Sequence, residues 1–238
     1  LSDGGCFAKG CLEEETLTEI RIFMNELKAH YLLLKSRFPL LISRQGVAID
    51  TSYFTLSLDL DTSADDIWNQ KISSKVRNQV RKGLRHKPVI QIGGKDLLDD
   101  FYGLFSRTMR DLGTPSYGKK FFGSILEEFG DSGEIMIMRV PNLGIVSGAL
   151  LLTCEDTMFH PYAVTLKSAL PLSLNNAFYW KLIQYACSKN LRRFDMGRSH
   201  RDYGTFRYKR SWAAEPIQLY YTYILSEGAH MPSFQTPS

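Results

Sequence analysis

Residues 134–165, EIMIMRVPNLGIVSGALLLTCEDTMFHPYAVT, decide the fold. They contain three largely apolar stretches, Glu134 to Val140, Gly144 to Thr153 and Thr157 to Thr165. The first two flank a Pro141-Asn142 pair, which is typical of a hairpin turn. The pattern therefore predicts a meander of three antiparallel strands.

Helices and further strands surround this meander in the sequence. Apolar residues at three- and four-residue spacing predict helices at Glu13 to His30, Asp66 to His86, Asp96 to Leu112, Lys119 to Phe129 and Leu174 to Lys189. Strands are predicted at Tyr31 to Leu34, Tyr53 to Leu60, Val89 to Ile92, Phe194 to Met196 and Ile217 to Ile224. This order indicates an α/β (α+β) fold with a mixed, mostly antiparallel central sheet flanked by helices.

Length and composition exclude several classes of protein. The chain has 238 residues, of which 44% are hydrophobic and 23% charged, as in ordinary globular domains. No stretch approaches the length of apolar sequence that a membrane-spanning helix needs. The four cysteines and five histidines show no metal-ligand spacing, so no metal site is expected. Free thiols indicate a reducing compartment, and we expect a cytoplasmic location, which includes the inner face of the membrane.

The basic residues are concentrated in two segments. Ile67 to Lys95 has eight cations and no anion, and Arg192 to Arg210 has seven cations and two anions. The rest of the chain carries 14 cations and 23 anions. Two basic segments in an otherwise acidic chain indicate a local site for an anion, although the first segment also fits a solvated helix face.

The second basic segment contains the densest group of candidate site residues. Phe194-Asp195-Met196-Gly197-Arg198-Ser199 predicts a strand that ends at a glycine, and Gly204-Thr205-Phe206-Arg207-Tyr208-Lys209-Arg210-Ser211-Trp212 predicts a short basic helix. Strand ends of open α/β sheets are where ligands bind. Lys209 is therefore the candidate for steadying a phosphate or a developing oxyanion. Arg198 and Arg207 are candidates for bidentate binding of anionic groups.

Two of the candidates keep a structural alternative. Asp195 is either a base or the partner of Arg198 in an ion pair. Asn175 either contacts a substrate or caps the helix that starts near it. Phe206 and Trp212 are interpreted as core residues.

Together these motifs resemble the FemAB-like family, most closely its branch associated with PEP-CTERM/exosortase and exopolysaccharide systems. The residues that carry the resemblance are Arg77 to Lys82, Met109 to Pro115, Tyr179-Trp180, Phe194 to Ser199 and Gly204 to Trp212. Proteins of this family are built from two GNAT-type acyltransferase domains. The resemblance implies that residues 1–60 are the C-terminal part of a first GNAT-like domain, 61–225 a complete second one and 226–238 a flexible tail. Because the chain starts at Leu1 and residues 1–60 supply too few elements for a core, we expect a longer gene product.

The resemblance implies an N-acyltransferase with no bound cofactor. Its best-known members take aminoacyl groups from aminoacyl-tRNA and extend the peptide of a peptidoglycan precursor. Their Phe-Lys pair near the donor carbonyl corresponds here to Tyr208 and Lys209, which are the expected catalytic residues. The expected substrate-binding residues are Arg198, Ser199, Arg207, Asp195, Arg77, Arg81, Lys82 and Asn175. The implied partners are an anionic acyl donor, tRNA or CoA-like, and a cell-envelope or exopolysaccharide precursor that carries an amine.

Two alternative functions stay open. The first is an acetyl-CoA-dependent GNAT N-acetyltransferase. The segment from Thr165 to Ser173, where such enzymes have a glycine-containing pyrophosphate loop, holds no glycine, so aminoacyl-tRNA or another activated donor ranks above acyl-CoA. The second is a non-catalytic polyanion-binding module or scaffold of an exopolysaccharide system. Lys209→Ala is expected to leave folding intact and to abolish transfer only if the chain is an enzyme.

Overall fold

The computed structural model describes residues 14–39 and 46–232. The predicted glycine-containing start of the chain and residues 233–238 of the predicted tail lie outside the described residues. The described chain forms two compact units. The larger unit is Leu56–Gly197 with Arg207–Glu215, and the smaller one takes its residues from Leu1–Thr55, Arg198–Phe206 and Pro216–Ser238.

The smaller unit contains a helix and a three-stranded antiparallel sheet. Its elements are α1 (Glu14–Glu26), β1 (Tyr31–Ser36), β2 (Val47–Asp50) and β10 (Tyr220–Leu225), and the strand order is β1-β10-β2. The buried side chains of Leu17, Met24 and Ile224 form a small core of this unit. Strand β10 therefore lies between two strands that come much earlier in the chain.

The remaining elements build a seven-stranded sheet and its flanking helices. They are β3 (Tyr53–Asp59), α2 (Ala64–Asp66), α3 (Ser74–Leu84), β4 (Val89–Gly93), α4 (Leu98–Asp111), α5 (Lys119–Phe129), β5 (Gly133–Val140), β6 (Gly144–Cys154), β7 (Thr157–Thr165), α6 (Leu174–Ser188), β8 (Arg193–His200), α7 (Gly204–Arg210) and β9 (Glu215–Gln218). The strand order is β4-β5-β6-β7-β8-β3-β9. The predicted α/β class with a mixed, helix-flanked central sheet is confirmed.

The predicted meander is the centre of this sheet. Strands β5 and β6 pair antiparallel with Ile135 opposite Leu150, and β6 and β7 pair with Leu150 opposite Tyr162. Ile135 and Leu150 are fully buried against Phe101 and Phe122, which come from α4 and α5. The continuous apolar runs thus reflect strands that are covered by helices.

The predicted helix from Asp66 to His86 is wrong as a single element. A π-helical turn at Ile67–Lys71 follows α2, and Ser73 then begins α3 by accepting a hydrogen bond from the Val76 N–H. A serine that bonds to the backbone in this way starts a helix more readily than it continues one. The break therefore lies where the sequence places Ser73.

The predicted strand from Ile217 to Ile224 is also wrong as a single element. It consists of β9 and β10, which belong to different sheets, with Leu219 between them. Alternation of apolar residues continues through the junction, so the sequence pattern alone does not show it. Strand β2 was not predicted, because only four residues form it.

Helix α3 packs closely on the start of α6. A Cβ atom at Gly83 would lie 2.5 Å from the Ser173 carbonyl oxygen and 2.8 Å from the Ala177 Cβ. Real Cβ atoms do not approach other atoms this closely. Only glycine allows the two helices to meet at this distance.

Candidate active site

Two neighbouring parallel strands of the seven-stranded sheet, β7 and β8, separate along their length. Strands β7 and β8 pair over three positions, from Thr157 opposite Arg193 to Phe159 opposite Asp195. Beyond these positions the described parts of the two strands are not paired. On its other side β7 has a bulge, because two residues, His160 and Pro161, lie opposite the single residue Leu151 of β6.

Gly197 lies at the point where the two strands separate. Its φ angle is +73°, a conformation that favours glycine. The Gly197 N–H donates a hydrogen bond to Asp195 Oδ1 (2.7 Å), and the Gly197 carbonyl accepts one from Lys209 Nζ (2.9 Å). Two side chains thus hold both polar groups of this peptide backbone.

Both of these side chains are ionisable and buried. Asp195 is 1% exposed and Lys209 is 8% exposed. Ionised groups are rarely buried unless a partner stabilises the charge, and they concentrate at functional sites. The structure therefore brings together Lys209 and Asp195, which the sequence analysis named as candidate site residues, at the backbone of Gly197.

An aromatic cluster lies beside Lys209, and we call it the Tyr179 cluster. It consists of His160, Tyr179, Tyr208 and Trp212. The Tyr179 ring centroid lies 5.4 Å from that of His160, 5.2 Å from Tyr208 and 6.0 Å from Trp212. Burial raises the pKa of Tyr179 and of Tyr208, so both phenols stay protonated at neutral pH.

The sequence analysis missed His160. This side chain is 5% exposed, and burial together with the nearby Lys209 charge lowers its pKa to about 3. The imidazole is therefore neutral at physiological pH. The sequence did contain a sign of it, namely a histidine inside the apolar run from Thr157 to Thr165. A polar side chain on a strand that is predicted to be buried indicates a specific contact or a function.

Asn175 is not the cap of α6. The N-cap residue is Ser173, which has a left-handed backbone and makes no side-chain capping bond. Asn175 instead lies near the Tyr208 hydroxyl, where it and Trp212 offset part of the pKa rise of Tyr208. The geometry falls short of a full hydrogen bond at this oxygen.

Arg198 and Ser199 lie in the smaller unit. The Arg198 guanidinium lies over the rings of Tyr53 (4.7 Å) and Tyr221 (5.9 Å). Ser199 is buried. Arg207 belongs to the larger unit and is exposed.

The three cations predicted on α3 differ in their contacts. Arg77 Nη1 donates hydrogen bonds to the carbonyls of Trp68, Asn69 and Ile72. Arg81 is exposed and lies over the Trp68 ring, and Lys82 is exposed with Nζ 2.8 Å from the Pro171 carbonyl. Arg77 thus closes the carbonyl end of the π-helical turn, whereas Arg81 and Lys82 face solvent.

Replacing Arg77 by methionine should lower the free energy of unfolding by about 2 kcal/mol, because three carbonyls lose a charged donor. Arg81→Met is the matched control on the same helix and should change it by less than about 0.5 kcal/mol. Urea denaturation measures both. Equal effects of the two substitutions would contradict the structural role of Arg77.

The arrangement of this unit is that of a known class. A mixed sheet flanked by helices, with two neighbouring parallel strands that separate, is the GNAT-type acyltransferase fold. Residues 70–210 match the acetyltransferase (GNAT) domain family, which is more than half of the chain. The chain belongs to this family.

Solved structures share the fold at low sequence identity. The crystal structure of FemX superposes with a TM-score of 0.66 and 13% identity over 88% of this chain and 77% of that one. The C-terminal domain of a putative lysylphosphatidylglycerol synthetase from Agrobacterium fabrum superposes with a TM-score of 0.66 and 14% identity, over 92% of this chain and 78% of that one. A tandem GNAT protein from the clavulanic acid biosynthesis pathway superposes with a TM-score of 0.55 and 10% identity, over 88% of this chain and 68% of that one. No curated protein matches the sequence significantly.

The described residues contain neither a helix suited to span a membrane nor a cluster of metal ligands. None of their helices is both long and apolar enough to cross a bilayer. Among these same residues no three His, Cys, Asp or Glu side chains gather as a metal-ligand set.

Proposed function

We propose that the chain is a FemAB-type N-acyltransferase. It transfers an aminoacyl or other acyl group from an activated donor to an amine of a cell-envelope or exopolysaccharide precursor. The observation that carries this proposal is the buried Lys209 ammonium at the point where β7 and β8 separate. The PEP-CTERM-associated branch and the assignment of residues 1–60 to a first GNAT-like domain are parts of the same proposal.

The reaction is aminolysis of an ester or thioester. The acceptor nitrogen forms a bond to the acyl carbon, and the carbonyl oxygen gains negative charge in the tetrahedral intermediate. The C–O or C–S bond to the carrier then breaks, and the proton of the amine leaves to solvent or to the departing group. In this proposal Lys209 stabilises the oxyanion, because a preorganised charge in a water-poor site acts strongly on developing charge. Asp195 is proposed to position this ammonium through the Gly197 backbone, which both side chains bind, and Tyr208 through its place next to Lys209 in the chain.

The remaining candidate residues bind the carriers. Arg198, Ser199 and Arg207 are proposed contacts for anionic parts of donor or acceptor, and Asn175 is a proposed contact near Tyr208. Arg81 and Lys82, which face solvent, are better candidates for a polyanion than Arg77, whose guanidinium is held by backbone carbonyls.

One similar structure supports an aminoacyl donor. It is a domain of a putative lysylphosphatidylglycerol synthetase, a name that describes an aminoacyl group joined to a lipid. The segment before α6 agrees with this preference, since it forms a glycine-free 3-10 helix at Lys167–Leu172. A backbone without glycine does not approach a pyrophosphate closely.

Acyl-CoA is the second candidate donor, and one observation favours it. Where β7 separates from β8, backbone groups of a strand edge become available to a ligand. An extended ligand that carries amide groups can pair with such an edge as an added strand. The amide-bearing arm of CoA has this chemistry.

The deciding experiment offers both donors to the purified chain. One reaction contains a mixture of aminoacyl-tRNAs and a second contains acetyl-CoA, each with the same amino-sugar acceptor. Mass spectrometry follows acylation of the amine in both. We expect acylation from aminoacyl-tRNA. Acylation from acetyl-CoA alone would reverse the order of the donors, and acylation from neither would contradict the proposal.

Charge reversal on α3 tests the polyanion contact. Arg81→Glu with Lys82→Glu should weaken binding of tRNA and reduce the slope of log K against log salt by about 2, since about two phosphate contacts are lost. Fluorescence anisotropy at several salt concentrations measures this slope. Lys87→Glu with Lys95→Glu, which reverses two cations outside α3, is the matched control. An unchanged slope in the Arg81/Lys82 variant would exclude these residues from the polyanion contact.

A further inference from the structure

Three buried polar atoms of the larger unit have no hydrogen-bond partner among the described residues. They are His160 Nε2, Tyr208 Oη and Trp212 Nε1. Buried polar atoms in native proteins are nearly all hydrogen-bonded, and each unsatisfied one costs about 1–3 kcal/mol. Asn175 and Trp212 lie near Tyr208 Oη but make no full hydrogen bond to it, so the three atoms still require an explanation.

The three atoms belong to one place, the Tyr179 cluster. Each of their rings contacts the Tyr179 ring, and the Tyr208 and Trp212 centroids are 6.3 Å apart. His160 also packs edge-on against Phe194, at 5.1 Å. The three rings therefore form one packed group around Tyr179.

The chemistry of the three atoms defines the ligand group that matches them. The Trp212 indole N–H is a donor only, and the Tyr208 hydroxyl both donates and accepts. His160 is neutral, and its ring also bonds to its own backbone, which leaves Nε2 as an acceptor. The matching group donates one hydrogen bond and accepts another, as a hydroxyl or a carboxamide does.

The place of the cluster relates it to the reaction. Tyr208 directly precedes Lys209, and His160 is the first residue of β7 after its last pair with β8. The Lys209 charge is close enough to lower the pKa of His160. A cationic substituent is therefore disfavoured here by like-charge repulsion, and a purely alkyl group would leave all three atoms unsatisfied.

We propose that the Tyr179 cluster is the binding pocket for the side chain of the acyl group, and that this side chain carries a hydroxyl or a carboxamide. Among aminoacyl groups the pocket thus selects the hydroxyl- and amide-bearing ones over alkyl and cationic ones. The proposal rests on the proposed function, in which Lys209 faces the reacting carbonyl. It also gives a role to Tyr208, which stands where the resembled family has phenylalanine without a hydroxyl.

The first test compares two acyl groups of nearly equal size. Threonyl and valyl esters of one and the same tRNA differ by a hydroxyl in place of a methyl group. We expect kcat/KM to be about 10- to 100-fold higher for the threonyl ester, the value of one or two hydrogen bonds. Tyr208→Phe should reduce this ratio several-fold. Tyr185→Phe removes a hydroxyl that bonds to Glu134 on another part of α6 and should leave the ratio unchanged. Equal rates for the two esters, or a ratio that Tyr208→Phe does not change, would overturn the proposal.

The second test needs no turnover. N-acetylthreonine methyl ester and N-acetylvaline methyl ester, which differ only in the side chain and carry no primary carboxamide, are titrated into the chain, and NMR follows the indole N–H signal of Trp212, assigned with a Trp212→Phe variant. We expect a shift with the threonine compound alone. A shift without transfer from either tRNA ester supports the pocket and contradicts the proposed function. Transfer at equal rates without a shift supports the proposed function and contradicts the pocket.

Discussion

Lys209→Met should lower kcat for acyl transfer by at least about 100- to 1000-fold, the usual loss when one group that stabilises an oxyanion is removed. The methionine keeps the length of the side chain and removes the charge. A single-turnover assay with the donor that the chain accepts measures the effect. The KM for the donor should change much less, because the ammonium acts on charge that develops in the transition state.

The same substitution should also destabilise the chain. Lys209 is 8% exposed and donates to the Gly197 carbonyl, so its loss leaves a buried carbonyl without this partner. We expect the free energy of unfolding to fall by about 1–3 kcal/mol. The sequence analysis expected folding to stay intact without Lys209, and the burial of this side chain adds the expectation of a partial loss of stability.

Arg210→Met is the matched control. Arg210 is the next cation of α7, and it forms an exposed ion pair with Glu215 at 2.7 Å. Exposed pairs contribute about 0–1 kcal/mol, so this variant should keep nearly full stability and activity. Normal turnover of the Lys209→Met variant would contradict a catalytic role for Lys209.

Gly83→Ala should destabilise the chain. The added Cβ would lie 2.5 Å from the backbone carbonyl oxygen of Ser173, which cannot move without shifting the start of α6. Overpacking of this kind costs about 1–3 kcal/mol and occasionally more. Because Asn175 lies in the first turn of α6, transfer activity should also fall. Thermal and urea denaturation measure the first effect.

Gly103→Ala is the matched control and should raise the free energy of unfolding in the same denaturation experiments. Gly103 lies inside α4, and a Cβ there would meet nothing within 4 Å. Alanine in an open helical position stabilises by about 0.5–1 kcal/mol relative to glycine. If both variants were equally stable, the close contact between α3 and α6 would be wrong.

The sequence predicts the centre of the fold well and the junctions poorly. The strand from Thr157 to Thr165 and the helix from Lys119 to Phe129 have the predicted bounds, because their apolar patterns are long and end at polar residues or glycine. The break at Ser73 and the change of sheet at Leu219 were not predicted. Both depend on local hydrogen bonds and on pairing with distant strands, which leave the apolar pattern unchanged.

The candidate site follows the same division. The sequence motif leads to Lys209 and Asp195, since both lie within 15 residues of Gly197 in one basic segment. It does not lead to His160, which reaches the site from β7, and it includes Tyr179 only as part of the Tyr179-Trp180 pair that carries the family resemblance, without a role. The contacts of these two side chains arise only when the strands and helices pack, so a local motif does not show them.

The order of strands in the smaller unit has a consequence for biosynthesis. Strand β10 is the central strand of the β1-β10-β2 sheet, yet it leaves the ribosome after all the other strands that the structure describes. Nascent β1 and β2 therefore wait, with unpaired edges, while about 170 residues are translated, which takes on the order of ten seconds or more at ordinary elongation rates. Throughout that interval the two edges are exposed to aberrant pairing. We expect ribosome-bound chains that stop before Tyr220 to be protease-sensitive from Tyr31 to Asp50.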